Sequence, residues 1–247
     1  THGPQGKGFE EDFANFMGAG YSAALSSCTA ALHLAYFQMG VGPGDEVIVS
    51  PLTMSAPTFA ILIAGGTPVY ADIDPDTLNI SPESIESKIT DKTKAISAIA
   101  LYGLPCDLDK IREIAEKHSL FVYEDNAQCQ LATFKGQYAG TMSDAASFSF
   151  QRLKHITCGE GGMVVTNDET FADKVRAKQC LGYANLSAKK GSITKYEMQN
   201  PDYARHLVMG FKSRMPELCA AVLIAQLENL EVLVKKRLQS AKLLEEV

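Results

Sequence analysis

The chain has 247 residues, 46% of them hydrophobic, and a formal net charge of −6. That length buries a sizeable core in one large domain, or in one domain and the start of another. The acidic balance, with lysines and acids interspersed, excludes the basic footprint of a nucleic-acid binder, and no apolar run approaches the length of a membrane span. Six cysteines stand at positions 28, 106, 129, 158, 180 and 219. None forms a C-x-x-C pair and none lies near a histidine at zinc-site spacing, so no metal site is expected. They read as small buried hydrophobes of a reducing, cytoplasmic compartment.

In chain order, strand-like runs alternate with helical ones. A helix is expected over 9–17, then a strand over 21–26 leading into a helix over 29–39, with Leu32, Ala35, Tyr36 and Met39 on one face. The turn 40–45 leads to a short apolar strand over 46–50. A helix over 55–64, interrupted early by Pro57, precedes a strand over 67–72. Ser81, Pro82 and Glu83 form a helix-start signature of capping serine, first-turn proline and first-turn acid.

Residues 93–101 read as a strand, 108–118 as a helix, and 121–124 as a buried strand ending at Asp125. Two more strands are expected over 145–150 and 163–166, and helices over 168–178 and from Pro216 onward. The segment 182–210 is polar, tyrosine-rich and weakly periodic, which suggests a long loop or flap. Short apolar strands alternating with helices indicate an α/β fold of three α/β/α layers with a mainly parallel sheet. The chain stops inside an amphipathic segment without a stop signal, as part of a longer polypeptide would. Residues 1–230 are expected to form the large domain and 231–247 the start of a connecting helix to a small C-terminal domain.

In an open parallel sheet, ligands collect at the carboxyl ends of the strands, and three polar signals fall there. Ser26, Ser27, Cys28 and Thr29 stand at a strand–helix junction, where free backbone N–H groups and the helix dipole attract a phosphate; an ordinary helix cap is the plain alternative. Asp125 ends a buried strand, a costly place for a carboxylate unless a cation or several donors meet it; a cap for the next segment is the alternative. The third signal is Ser149 with Lys154, five positions later and just before the turn GEGG at 159–162. Imine chemistry needs a neutral amine in a partly dry site, such as the mouth of a sheet; for Lys154 taken alone, a surface lysine after a strand is the plain alternative.

Six collinear stretches carry a further signal: SCTAALHLA (27–35), GPGDEVIV (42–49), TPVYADID (67–74), EDNAQ (124–128), SFSFQRLKH (147–155) with its GEGG turn, and RMPELCAA (214–221). With these, the chain resembles the DegT/StrS family of sugar aminotransferases, pyridoxal-phosphate enzymes of fold type I. The resemblance implies that Lys154 holds pyridoxal 5'-phosphate as an internal aldimine, that Asp125 pairs with its pyridine nitrogen, and that Gln128 lies near the ring hydroxyl. It implies that the Cys28 backbone, Thr29 and Ser149 hold the phosphate. Two positions depart from the family pattern. Met54 stands where an aromatic residue often covers the ring, and a thioether packs there with less rigid geometry. Lys212 stands where an asparagine commonly reaches the phosphate of the neighbouring subunit, and a solvent-facing lysine is the alternative.

The activity implied is ping-pong transamination from an amino donor, glutamate by resemblance, to a nucleotide-linked keto-sugar, in a homodimer with shared sites. Retention of Lys154, with His155 after it, disfavours the dehydratases that resemble this family. Amination of another cyclic ketone, and a non-catalytic cofactor- or sugar-binding regulator, are the rivals. His33, His118 and His206 receive no role.

Overall fold

The structure, a computed structural model, describes residues 3–183, 196, 199–202, 204 and 206–245. Most of the segment expected to be a loop or flap over 182–210 lies outside the described residues. Helix α1 (Pro4–Met17) leads to β1 (Tyr21–Leu25), α2 (Cys28–Gln38), β2 (Glu46–Val49), α3 (Ala56–Ala64), β3 (Thr67–Tyr70), α4 (Pro82–Lys88) and β4 (Thr93–Ile99). After a 3-10 turn at Leu101–Gly103 come α5 (Leu108–His118), β5 (Phe121–Asp125), the small hairpin β6 (Thr133–Phe134) and β7 (Gln137–Tyr138), β8 (Ala145–Ser149), β9 (Gly162–Thr166) and α6 (Glu169–Gln179). The described C-terminal helices are α7 (Glu217–Leu227) and α8 (Leu230–Glu245).

The main sheet has seven strands in the order β1-β9-β8-β5-β4-β2-β3. The β2–β3, β2–β4, β4–β5 and β5–β8 pairs are parallel, and β9 runs antiparallel to both β8 and β1. The expected mainly parallel sheet is therefore present, with one reversed strand inserted. Side chains alternate across the pleat. Ala23, Leu25, Val47, Val49, Ala95, Tyr123 and Val164 pack with α2, α3 and α6 on one face. On the other face, Ala146, Phe148, Met163 and Val165 pack with α1 and α7, while Ile48, Ile96 and Val122 pack with α4 and α5. Three layers follow directly from that alternation.

Several expected boundaries are corrected. The first helix begins at Pro4, five residues early, because the Glu217 carboxylate of α7 accepts the Gly3, Gln5 and Gly6 N–H groups at 2.9, 3.0 and 3.0 Å. Pro57 does not interrupt α3; it lies in the first turn, where its missing N–H costs nothing. β3 ends at Tyr70 rather than 72, and β4 at Ile99 rather than 101. The C-terminal helical run is two helices, broken after Leu227. Helix α2 is buried nearly all round and does not present one face only, since it lies between the sheet and α3 and α6. Among the described residues, no helix is long and apolar enough to cross a membrane, and no group of three or more His, Cys, Asp or Glu side chains could hold a metal.

Candidate active site

The site begins at the junction of β1 and α2. Ser27 adopts an extended conformation and its side chain accepts the Ala30 N–H at 3.1 Å, a helix cap worth about 1 kcal/mol. The cap reading therefore holds, and the N–H groups of Cys28 and Thr29 in the first turn are left without an intrahelical acceptor. Close approach makes this possible. A Cβ on Gly162 of β9 would stand 2.3 Å from the Ser27 carbonyl carbon and 2.5 Å from the Cys28 nitrogen. Only a residue without a side chain lets the neighbouring strand lie so tightly under the start of α2.

Two strands away, β5 presents odd-numbered residues to the α2 face, and its last one is Asp125. The side chain is 4% exposed. One oxygen accepts the Ala127 N–H at 3.0 Å and stands 3.9 Å from the Cys28 thiol. The carboxylate thus closes the local turn, as the capping alternative supposed, and also faces the cavity. Burial raises its pKa above the ordinary aspartate range, against the lowering effects of the Ala127 N–H and the Lys154 charge. Beneath it, the hydroxyls of Tyr123 and Ser147 are buried beside the carboxylate, and the Ser147 hydroxyl also helps to lower its pKa. A cation brought to Asp125 would answer that burial penalty directly.

Gln128 lies just beyond, and its side-chain carbonyl accepts the Tyr102 N–H at 3.0 Å. Tyr102 reaches it from a left-handed backbone (φ 52) in the 3-10 turn after β4. The amide is thereby left with its NH2 end to donate, which suits an oxygen acceptor such as a ring phenolate. Ser149 ends β8, and its hydroxyl is 3.4 Å from the Gln151 N–H. Lys154 follows in the loop to β9, its N–H on the Gln151 carbonyl at 2.9 Å and its side chain half-buried.

These elements surround a cavity of about 360 Å³, in the range of small-molecule sites. Cys28, Thr29, Met54, Asp125, Gln128, Ser149 and Lys154 all line it. Met54 is 65% exposed and forms part of the rim. Lys212 is the exception among the expected site residues. It is exposed, pairs in a β-bridge with Cys180, and does not line the cavity. Sequence reasoning missed Gln151, Leu153 and Glu160, which line the same cavity from the lysine loop. Their signal was proximity to Lys154 alone. Tyr102 carried no sequence signal, because its role depends on its backbone.

The residues fit a phosphate-bearing aromatic cation. The start of α2, a buried carboxylate that forms no ion pair among the described residues, and Lys154 all line the one cavity. With strand ends converging on such a cavity, the sheet order is that of fold type I aminotransferases.

The sequence profile of the DegT/DnrJ/EryC1/StrS aminotransferase family matches residues 1–247, and the chain belongs to that family. It is 42% identical over 240 residues to the spore coat polysaccharide biosynthesis protein SpsC of Bacillus subtilis (strain 168), which covers 96% of this chain and 60% of that protein. It is also 42% identical over 233 residues to GDP-perosamine synthase of Escherichia coli O157:H7, covering 94% of this chain and 60% of the synthase. Among solved structures, S. venezuelae DesV in complex with a ketimine intermediate superposes with a TM-score of 0.83 at 36% identity, covering 93% of this chain and 58% of that one. The chain spans about 60% of the length of the curated relatives it matches.

Proposed function

We propose that the protein is a pyridoxal-phosphate-dependent aminotransferase moving an amino group from an amino acid, glutamate by family likeness, to a nucleotide-linked keto-sugar. The observation that carries this reading is the convergence of Lys154, Asp125, Gln128, Ser149 and the start of α2 on one cavity. The names of the relatives, a GDP-perosamine synthase among them, support a sugar acceptor.

In this reading the Cys28 and Thr29 N–H groups and the Ser149 hydroxyl hold the phosphate. Asp125 holds a proton on the ring nitrogen, Gln128 donates to the ring oxygen, Met54 borders the ring, and Lys154 anchors the cofactor covalently through Nζ. When bound, pyridoxal phosphate supplies an electron sink for the charge left as a proton departs from the substrate carbon. Lys154 would serve as the general base that carries that proton on Nζ. An ionised Asp125 would accept the hydrogen bond from that ring N–H and so favour the protonated ring. Leu32, Pro57 and Ile99 give the cavity part of its apolar lining.

The protein acts as a homodimer with shared sites in this reading. Two observations support that arrangement: α3 exposes Phe59, Leu62 and Ile63 beside the Met54 rim, and Lys212 stands outside its own chain's cavity, free to serve another. We also take residues 1–230 as the cofactor-binding domain and α8 as the beginning of the connection to a small domain. The six free cysteines suit a cytoplasmic setting.

The test is to incubate the full-length protein with pyridoxal phosphate, glutamate and a panel of nucleotide-linked keto-sugars, reading the mass of the aminated product. Amination of a panel member, abolished in Lys154→Ala, is the expected result. Product formed by Lys154→Ala at the wild-type rate would sink the proposal.

A further inference from the structure

The loop between β8 and β9 presents Lys154, and bonds within the loop fasten part of it, the Lys154 N–H on the Gln151 carbonyl at 2.9 Å and the Thr157 hydroxyl on the Phe150 carbonyl at 3.1 Å among them. Phe150 N–H donates to the Gly161 carbonyl at 2.9 Å, Arg152 N–H to Gly159 at 3.0 Å, and Cys158 N–H to Phe150 at 3.1 Å. The C-terminal helices add contacts from outside the loop. Arg237 of α8 donates from Nη2 to the Lys154 carbonyl at 2.9 Å. Gln226 of α7 accepts the Thr157 N–H on its side-chain oxygen at 2.8 Å. A weaker contact runs from the Cys219 thiol to the Cys158 carbonyl at 3.8 Å.

The platform behind these contacts is rigid. Leu223, Leu227 and Leu230 of α7 and α8 pack in one buried cluster with Phe150 and Ile156 of the loop, and Ile156 is fully buried. The loop is thus pinned by an apolar anchor at 156 and by two polar clamps at 154 and 157. A clamp on the Lys154 carbonyl fixes the peptide from which the amine projects. Arg237 itself is exposed, and its charge-assisted bond to that carbonyl gives it a reason to be ordered there. Interior packing alone would not need it.

We propose that Gln226 and Arg237 are positioning residues for Lys154, holding the lysine loop against the C-terminal helices so that the amine stands aligned with the cofactor and substrate carbon. The inference rests on the reading of Lys154 as the reactive amine. Misplacement of a reacting group by about 1 Å can cost up to a hundredfold in rate, so a small increase in loop freedom has a kinetic signature out of proportion to its effect on stability.

The test uses four variants of the full-length protein. Gln226→Leu and Arg237→Met remove the clamps, whereas Gln226→Glu keeps an acceptor and Arg237→Lys keeps a cationic donor. In cofactor-free protein, hydrogen–deuterium exchange at the Thr157 amide should speed up about tenfold in Gln226→Leu and return towards wild type in Gln226→Glu. In loaded protein, the single-turnover rate with glutamate, followed by cofactor absorbance, should fall about tenfold in both removal variants with glutamate affinity unchanged, and recover in both conservative ones. Wild-type single-turnover rates in both removal variants would overturn the proposal, as would a loss confined to glutamate affinity. Lys154→Ala, run in parallel, separates the two claims. If it retains turnover, the reading of the lysine fails; if it is inactive while both removal variants run at the wild-type rate, the positioning role alone fails.

Discussion

Replacing Asp125 by asparagine exchanges a charge for an isosteric amide at a position where little else changes. The side chain is 4% exposed, and its hydrogen bond from the Ala127 N–H at 3.0 Å can be accepted equally by an amide oxygen. In the cofactor-free protein the aspartate is penalised. Burial raises its folded pKa above the unfolded value of 3.8, so the folded state binds a proton more tightly than the unfolded chain does. The penalty is absent below the unfolded pKa, grows as pH rises through the folded pKa, and is complete once the folded carboxyl has ionised. Asp125→Asn should therefore stabilise the cofactor-free protein at pH 8, with a melting shift of about 2–4 °C for each kcal/mol gained in a domain of this size.

With cofactor the sign reverses. Losing one partner of a buried pair costs about 3 kcal/mol or more, roughly a hundredfold in affinity. Differential scanning fluorimetry at pH 8 and pH 4, with and without pyridoxal phosphate, measures all four cases. The variant should melt higher than wild type without cofactor at pH 8, lose that advantage near pH 4, and gain far less from cofactor. A cofactor-free variant that melts below wild type at pH 8, or one that the cofactor stabilises as much as wild type, would refute the reasoning.

Gly162→Ala should cost more than about 2 kcal/mol in urea unfolding and weaken cofactor binding in titration, because its Cβ would stand 2.3–2.5 Å from backbone atoms of Ser27 and Cys28. Arg176→Met should destabilise the protein by about 3–5 kcal/mol in the same assay, since Arg176 meets the buried Glu10 carboxylate at 3.1 Å and the Ser22 carbonyl at 2.5 Å. It should leave the cofactor's affinity unchanged, as Arg176 does not line the cavity.

Much of the fold is legible because its signals are local. The helix Leu108–His118 falls where it is expected, with the Asp107 side chain as its cap, and Ser81 accepts the Ser84 N–H as the start signature implies. What escaped depends on distant partners or on unusual backbone. Gly6 and Gly8 weaken the first helix locally, and the carboxylate that caps it comes from Glu217, 211 residues beyond Gly6. The hairpin β6–β7 turns on Lys135 (φ 49) and Gly136 (φ 83); a two-residue turn with both φ positive favours asparagine or aspartate first, so lysine gave no warning.

The site divides in the same way. Lys154, Asp125, Gln128 and Ser149 lie at or just after the ends of strands whose apolar pattern is plain, so their convergence could be anticipated from sheet topology. Arg237 and Gln226 lie 83 and 69 residues from the atoms they hold. Nothing in their neighbourhood on the chain marks them, and only packing brings them to the loop.

The attachment point of the cofactor is the most direct measure of the account. Borohydride reduction of the full-length protein loaded with pyridoxal phosphate, followed by peptide mass mapping, should leave the pyridoxyl group on Lys154 alone. A label on another lysine, such as the buried Lys178 whose pKa burial lowers to about 8, or no retained label at all, would contradict it.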